Sequence, residues 1–89
     1  MPRKLLLVKG RVQGIGFRWF VREAAERLAV AGWVRNLPNG DVEADVQGSG
    51  EALAGLLEEL RTGHRWARVD AIDARDLPEQ KGAAGFSIR

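Results

Sequence analysis

Four consecutive apolar residues, Leu5-Leu6-Leu7-Val8, lead almost directly into the glycine-rich stretch Gly10-Arg11-Val12-Gln13-Gly14-Ile15-Gly16-Phe17-Arg18. A short apolar run without alternation suits a strand covered on both faces, and its place is the centre of a sheet. The glycines at Gly14 and Gly16 predict a sharp exit from that strand, because a residue without Cβ takes positive φ at little cost. Beyond them Phe20, Val21, Ala24, Ala25 and Leu28 recur at three- and four-residue steps, with Arg22, Glu23, Glu26 and Arg27 on the other face. That pattern predicts an amphipathic helix from about Trp19 to Ala31, with Gly32 as its stop.

The rest of the chain continues the alternation of periods. Trp33 to Leu37 reads as a second strand, and Asn39-Gly40 as a tight hairpin turn with positive φ at both positions. Val42, Ala44 and Val46 then alternate with Asp41, Glu43, Asp45 and Gln47, the signature of a half-buried strand. Ser49 is placed to cap a second helix whose face is Leu53, Leu56, Leu57 and Leu60, ending at Gly63. A long strand is expected over about Ala67 to Arg75, then a loop from Leu77 to Gly85 and a short closing strand at Phe86 and Ile88. The order is βαββαβ with an extra short C-terminal edge strand. Two helices on one face of an antiparallel sheet make a ferredoxin-like split-βαβ sandwich of the α+β class.

Composition narrows the function. A chain of 89 residues is read as one domain over 1–89. Cysteine is absent, which removes disulfides, thiolate nucleophiles and cysteine metal sites. The isoelectric point is near 9.7, yet 14 basic residues against 12 acidic leave a net charge of only +2 with no long basic run. The first and third strands carry no aromatic residue on which a base could stack, so no nucleic-acid partner is expected. The apolar run behind Met1-Pro2-Arg3-Lys4 is too short for a signal peptide or a membrane span, and a cytoplasmic location without membrane association is expected.

The glycine turn carries the chemistry. Backbone N–H groups of such a loop converge on one point, the helix N-terminus adds its dipole, and Arg18 adds a guanidinium, which together suit a phosphate-like anion. The turn lacks the Gly-Lys-Ser/Thr of a Walker loop, and Trp19 occupies the third glycine position of a dinucleotide fingerprint. No carboxylate lies in the turn, no acidic cluster has metal-ligand spacing, and the single histidine, His64, is read as a solvated loop residue. What remains is attack by water on an activated phosphate whose leaving group needs no acid. Asn36 sits where a strand disfavours asparagine, and its amide can hold a water and touch a phosphate oxygen. From the residues alone, an ordinary turn with a solvated arginine and an asparagine that merely ends its strand stand beside these readings.

The two segments together resemble the acylphosphatase family. Gly10 to Arg18 is similar to its signature loop, with Ile15 where valine is usual, and Gly32-Trp33-Val34-Arg35-Asn36 is similar to its second signature. Asn39-Gly40-Asp41-Val42-Glu43, Gly63 to Val69 and Phe86-Ser87-Ile88 also match its pattern, so the resemblance spans essentially the whole chain. It implies a ferredoxin-like fold and hydrolysis of the carboxyl–phosphate bond. Arg18 and the backbone of Gln13, Gly14, Ile15, Gly16 and Phe17 are expected to bind phosphate, and Asn36 to orient the water. An acyl phosphate substrate, inorganic phosphate as product, no metal, no cofactor and a freestanding monomer are expected. A phosphate- or carbamoyl-phosphate-binding module without turnover is the alternative. His64-Arg65 stands where the family has prolines, so that loop is expected to be flexible. Trp19 and Trp66 are expected to pack.

Overall fold

The apolar run does form a central strand. In the computed structural model, which describes residues 1–89, β1 (Arg3–Arg11) is followed by α1 (Phe17–Arg27), β2 (Ala31–Asn36), β3 (Val42–Gln47), α2 (Gly50–Thr62), β4 (Arg68–Leu77) and β5 (Phe86–Ile88). The sheet order is β4-β1-β3-β2-β5. β1 pairs antiparallel with β3 and β4, and β2 antiparallel with β3. β5 lies parallel to β2, so the sheet expected to be antiparallel is mixed at one edge. This is the expected ferredoxin-like arrangement with its extra C-terminal strand.

The core is one cluster of 16 buried residues between the sheet and both helices. Leu6 and Val8 of β1, Val34 of β2 and Val42, Ala44 and Val46 of β3 meet Phe17, Val21, Ala24 and Ala25 of α1 and Leu53, Leu56 and Leu60 of α2. Leu5 and Leu7 turn to the opposite face, which no helix covers, and are only half-buried. At the start of β1, Arg3 forms a two-pronged ion pair with the buried Asp45, at 3.0 and 2.6 Å. That hydrogen-bonded pairing raises the Arg3 pKa above the ordinary arginine value. The loop expected from Leu77 begins after it, since β4 runs through Leu77; the connection 78–85 crosses this end of the molecule from β4 to the far edge at β5, exchanging hydrogen bonds between Gln47 and Gln80 on the way.

Two turns differ from expectation. α1 stops at Leu28, well before Gly32. Ala29 takes φ 58°, and the Ala29 and Val30 amides return to the Glu26 and Ala25 carbonyls at 3.2 and 2.8 Å, a Schellman closure with alanine where glycine is usual. Gly32 instead lies in β2 opposite Val46, where an added Cβ would fall 1.7 Å from the Asp45 carbonyl oxygen. Its glycine is required by close strand approach, not by helix termination. In the β2–β3 turn only Gly40 has positive φ. Leu37 accepts from the Gly40 N–H at 3.1 Å and donates to the Asp41 carbonyl at 2.8 Å, which makes a three-residue loop begun by Pro38.

The left-handed alanine is a local strain that glycine removes. Ala29→Gly is expected to stabilise the protein by about 0.5–1 kcal/mol, the left-handed penalty less the backbone entropy of glycine. A urea melt reads it as a higher midpoint at unchanged slope.

Candidate active site

The strand directions gather one end of the sheet into a site. β1 and β2 both leave at this end, since each runs antiparallel to β3 between them, and Val42 of β3 pairs with both Val8 and Asn36. β5 runs parallel to β2 and delivers Arg89 to the same end. β4 begins here, with Arg68 opposite Arg11. The glycine loop, Asn36, Arg89 and the α2–β4 connection therefore meet although they lie far apart in sequence.

The loop itself is built from alternating conformations. Gly14 and Gly16 take φ of 78° and 77°, and Gly16 serves as N-cap of α1 without any side-chain cap. The N–H groups of Gly14, Ile15 and Gly16 donate to nothing else in the chain, and the first turn of a helix leaves its own amides free. No acidic residue lies in the first turn of α1 to compete for them. Glycine-flanked amides of this kind form an anion-binding concavity.

Gly14 and Gly16 line a hollow of about 100 Å³ together with Val12, Phe17, Arg18, Trp19 and Asn36. At roughly 30 Å³ per water-sized group, it has room for a small tetrahedral anion. Arg18 pairs with no Asp or Glu side chain; its Nη1 donates to the main-chain oxygen of Arg89 at 2.9 Å, which steadies the guanidinium and leaves most of its five donors free. Asn36 Oδ1 is buried and has no hydrogen-bond partner. A buried acceptor left unpaired is costly, by about 1–3 kcal/mol, and marks a group held ready for something else. A larger hollow on the open sheet face, about 270 Å³ lined by Leu5, Leu7, Glu43, Asp73, Ala74 and Arg75, presents two carboxylates and lacks converging backbone donors, which suits an anion poorly.

Of the residues singled out in the sequence, Gly14, Gly16, Phe17, Arg18 and Asn36 surround the hollow, while Gln13 and Ile15 share the loop without lining it. The Gln13 amide turns away and donates to the Leu37 and Asp41 carbonyls, both at 2.8 Å. It ties the glycine loop to the hairpin that begins next to Asn36. The ring of Phe17 belongs to the core. Val12 also lines the hollow, and a strand-end valine carries no sequence signal for such a place.

Three expectations are corrected. Trp19 and Trp66 do not pack: they are 60% and 68% exposed, covered on one side by Arg22 and Arg65. His64 is not a solvated loop residue. Its ring is wedged beside Phe17 and Phe20 and its Nε2 lies 3.0 Å from the Ile15 carbonyl. The partner is 49 residues away in sequence, so no local pattern announces it.

Because the Gln13 tie joins the two halves of the site, its loss is expected to cost stability as well as alignment. Gln13→Ala is expected to destabilise by about 1–3 kcal/mol, the sum of two net hydrogen bonds, measurable by urea denaturation.

Residues 4–88 match the family model described as Acylphosphatase. The chain is 44% identical over 90 residues to the acylphosphatase of Bifidobacterium longum, covering all of this chain and 93% of the relative. The crystal structure of the Bacillus subtilis acylphosphatase superposes with a TM-score of 0.94 at 36% identity, over all of this chain and 99% of that one. The T. kodakarensis HypF structure matches with a TM-score of 0.87 at 31% identity, over all of this chain but 12% of the larger one.

Proposed function

The chain belongs to the acylphosphatase family, hydrolases that act on acyl phosphates, and from that premise we propose how its residues divide the work. The amides of the glycine loop and the guanidinium of Arg18 hold the phosphate of an acyl phosphate. Asn36 orients the attacking water through Oδ1. The water oxygen forms a bond to phosphorus as the bond from phosphorus to the carboxyl oxygen breaks, and the carboxylate leaves with that electron pair. An oxygen of the substrate phosphate takes the water's proton. A carboxylate is a weakly basic leaving group, so no general acid is called for. Phosphoryl transfer of this kind relies on positioning and charge stabilisation, and this loop presents both.

The observation that carries the reading is the buried, unpartnered Oδ1 of Asn36, a residue that lines the same hollow as Arg18. A pure anion binder gains nothing from an unsatisfied acceptor on a residue that lines its site. Hydrolysis of benzoyl phosphate by the purified protein in EDTA tests it, with inorganic phosphate as competitive inhibitor. Turnover that survives EDTA and is inhibited by phosphate supports the reading. Phosphate binding without turnover replaces it with the binding module.

A further inference from the structure

His64 belongs to the connection between α2 and β4, outside both signature segments, yet both its ring nitrogens are committed. Nε2 lies 3.0 Å from the Ile15 carbonyl oxygen, and Nδ1 lies 3.2 Å from the Trp66 backbone nitrogen. A carbonyl only accepts, so the proton is on Nε2; a backbone N–H only donates, so Nδ1 is bare. The two contacts together define a neutral imidazole in a single tautomer. Phe20 meets the ring edge-on at 5.3 Å and Phe17 lies at 6.0 Å, so the imidazole has little freedom to turn. The connection expected to be flexible is thereby fastened to the glycine loop.

Ile15 stands between the two left-handed glycines of that loop. The carbonyl of Ile15 and the N–H of Gly16 share one peptide plane, and in a trans peptide they point in opposite directions. A donor that holds the carbonyl on the His64 side therefore turns the Gly16 N–H to the other side. Gly16 lines the hollow and Ile15 does not. Without such a hold the peptide between Ile15 and Gly16 is free to flip, since the flip turns ψ of Ile15 and φ of Gly16, and glycine tolerates either sign of φ.

We propose that His64 is a positioning residue for phosphate: as an Nε2–H donor it holds the Ile15–Gly16 peptide so that the Gly16 amide faces the bound anion. This rests on the assignment of the hollow as the phosphate site. The amide contacts ground state and transition state alike, so its loss should raise KM and the phosphate inhibition constant together and leave kcat nearly alone.

The test compares wild type, His64→Phe and His64→Gln, with inorganic phosphate as the probe. Phenylalanine keeps the ring and removes the donor; glutamine keeps a donor. His64→Phe is expected to weaken phosphate inhibition about three- to tenfold, the range of one net hydrogen bond, with His64→Gln recovering most of the loss. Should His64→Phe fold poorly, two readings on the unmodified protein decide. The imidazole nitrogen shifts should report the Nε2–H tautomer, and the Gly16 amide should be among those that move when phosphate is added. An unchanged inhibition constant in folded His64→Phe, an Nδ1–H tautomer, or a Gly16 amide indifferent to phosphate overturns the inference while the acylphosphatase reading stands. A wild type whose hydrolysis is indifferent to phosphate and independent of Arg18 overturns both.

Discussion

Arg18→Ala is expected to lower kcat/KM for benzoyl phosphate by about 100- to 1000-fold, the loss of one oriented charge-stabilising donor set, about 2.7–4 kcal/mol. Arg18 pairs with no Asp or Glu side chain, and its one hydrogen bond runs to the main-chain oxygen of Arg89. Its charge is thus available to the anion, and its planar fork matches two phosphate oxygens at once. The same change should weaken inhibition by inorganic phosphate, since the guanidinium meets phosphate in every state along the reaction. Stability should fall only by about 0.5–1.5 kcal/mol, the loss of the hydrogen bond to Arg89. Arg18→Lys keeps the charge but loses the fork, and is expected to recover only part of the activity. Near-normal turnover in Arg18→Ala would place the chemistry elsewhere.

Asn36→Ala is expected to separate binding from turnover. The amide is proposed to act on water, so kcat should fall by about 100- to 1000-fold while phosphate inhibition stays within about twofold of wild type. The stability effect should have the opposite sign. Asn36 Oδ1 is a buried acceptor with no partner, and removing such a group relieves its desolvation penalty. A thermal midpoint equal to or above wild type, beside a collapsed kcat, is the signature of a residue kept for function at the expense of stability. Equal losses in kcat and in phosphate affinity would assign Asn36 to binding instead.

Much of this was legible in the residues because it is local. The unbroken apolar run of β1 points to a central strand, and β1 is central, though only its Leu6 and Val8 face is fully buried. Val42, Ala44 and Val46 alternate and all three point to the core. Ser49 does cap α2, accepting from the Ala52 N–H at 3.0 Å. Gly14 and Gly16 do carry the left-handed turn. Where reading failed, a local cue had two causes. Gly32 looks like a helix stop, but tertiary crowding against Asp45 demands it, and the helix ends on a left-handed alanine that no pattern singles out. Asn39-Gly40 suggests a two-residue hairpin, yet Pro38 shifts the turn by one residue.

The residues by themselves determined the order of elements and the family and pointed to Arg18 and Asn36 as the pair proposed for the site, because signature spacing and period are properties of the chain. Only the tertiary structure decided what surrounds that pair. It turned Gln13 from the hollow to the hairpin, exposed Trp19 and Trp66, and brought His64 from the far side of α2 to the carbonyl of Ile15. The physical reason is that strand direction, not sequence distance, sets which loops share an end of the sheet. The exits of β1, β2 and β5 and the entry of β4 fall together there, so contacts across 49 or 71 residues become nearest neighbours that no window along the chain contains.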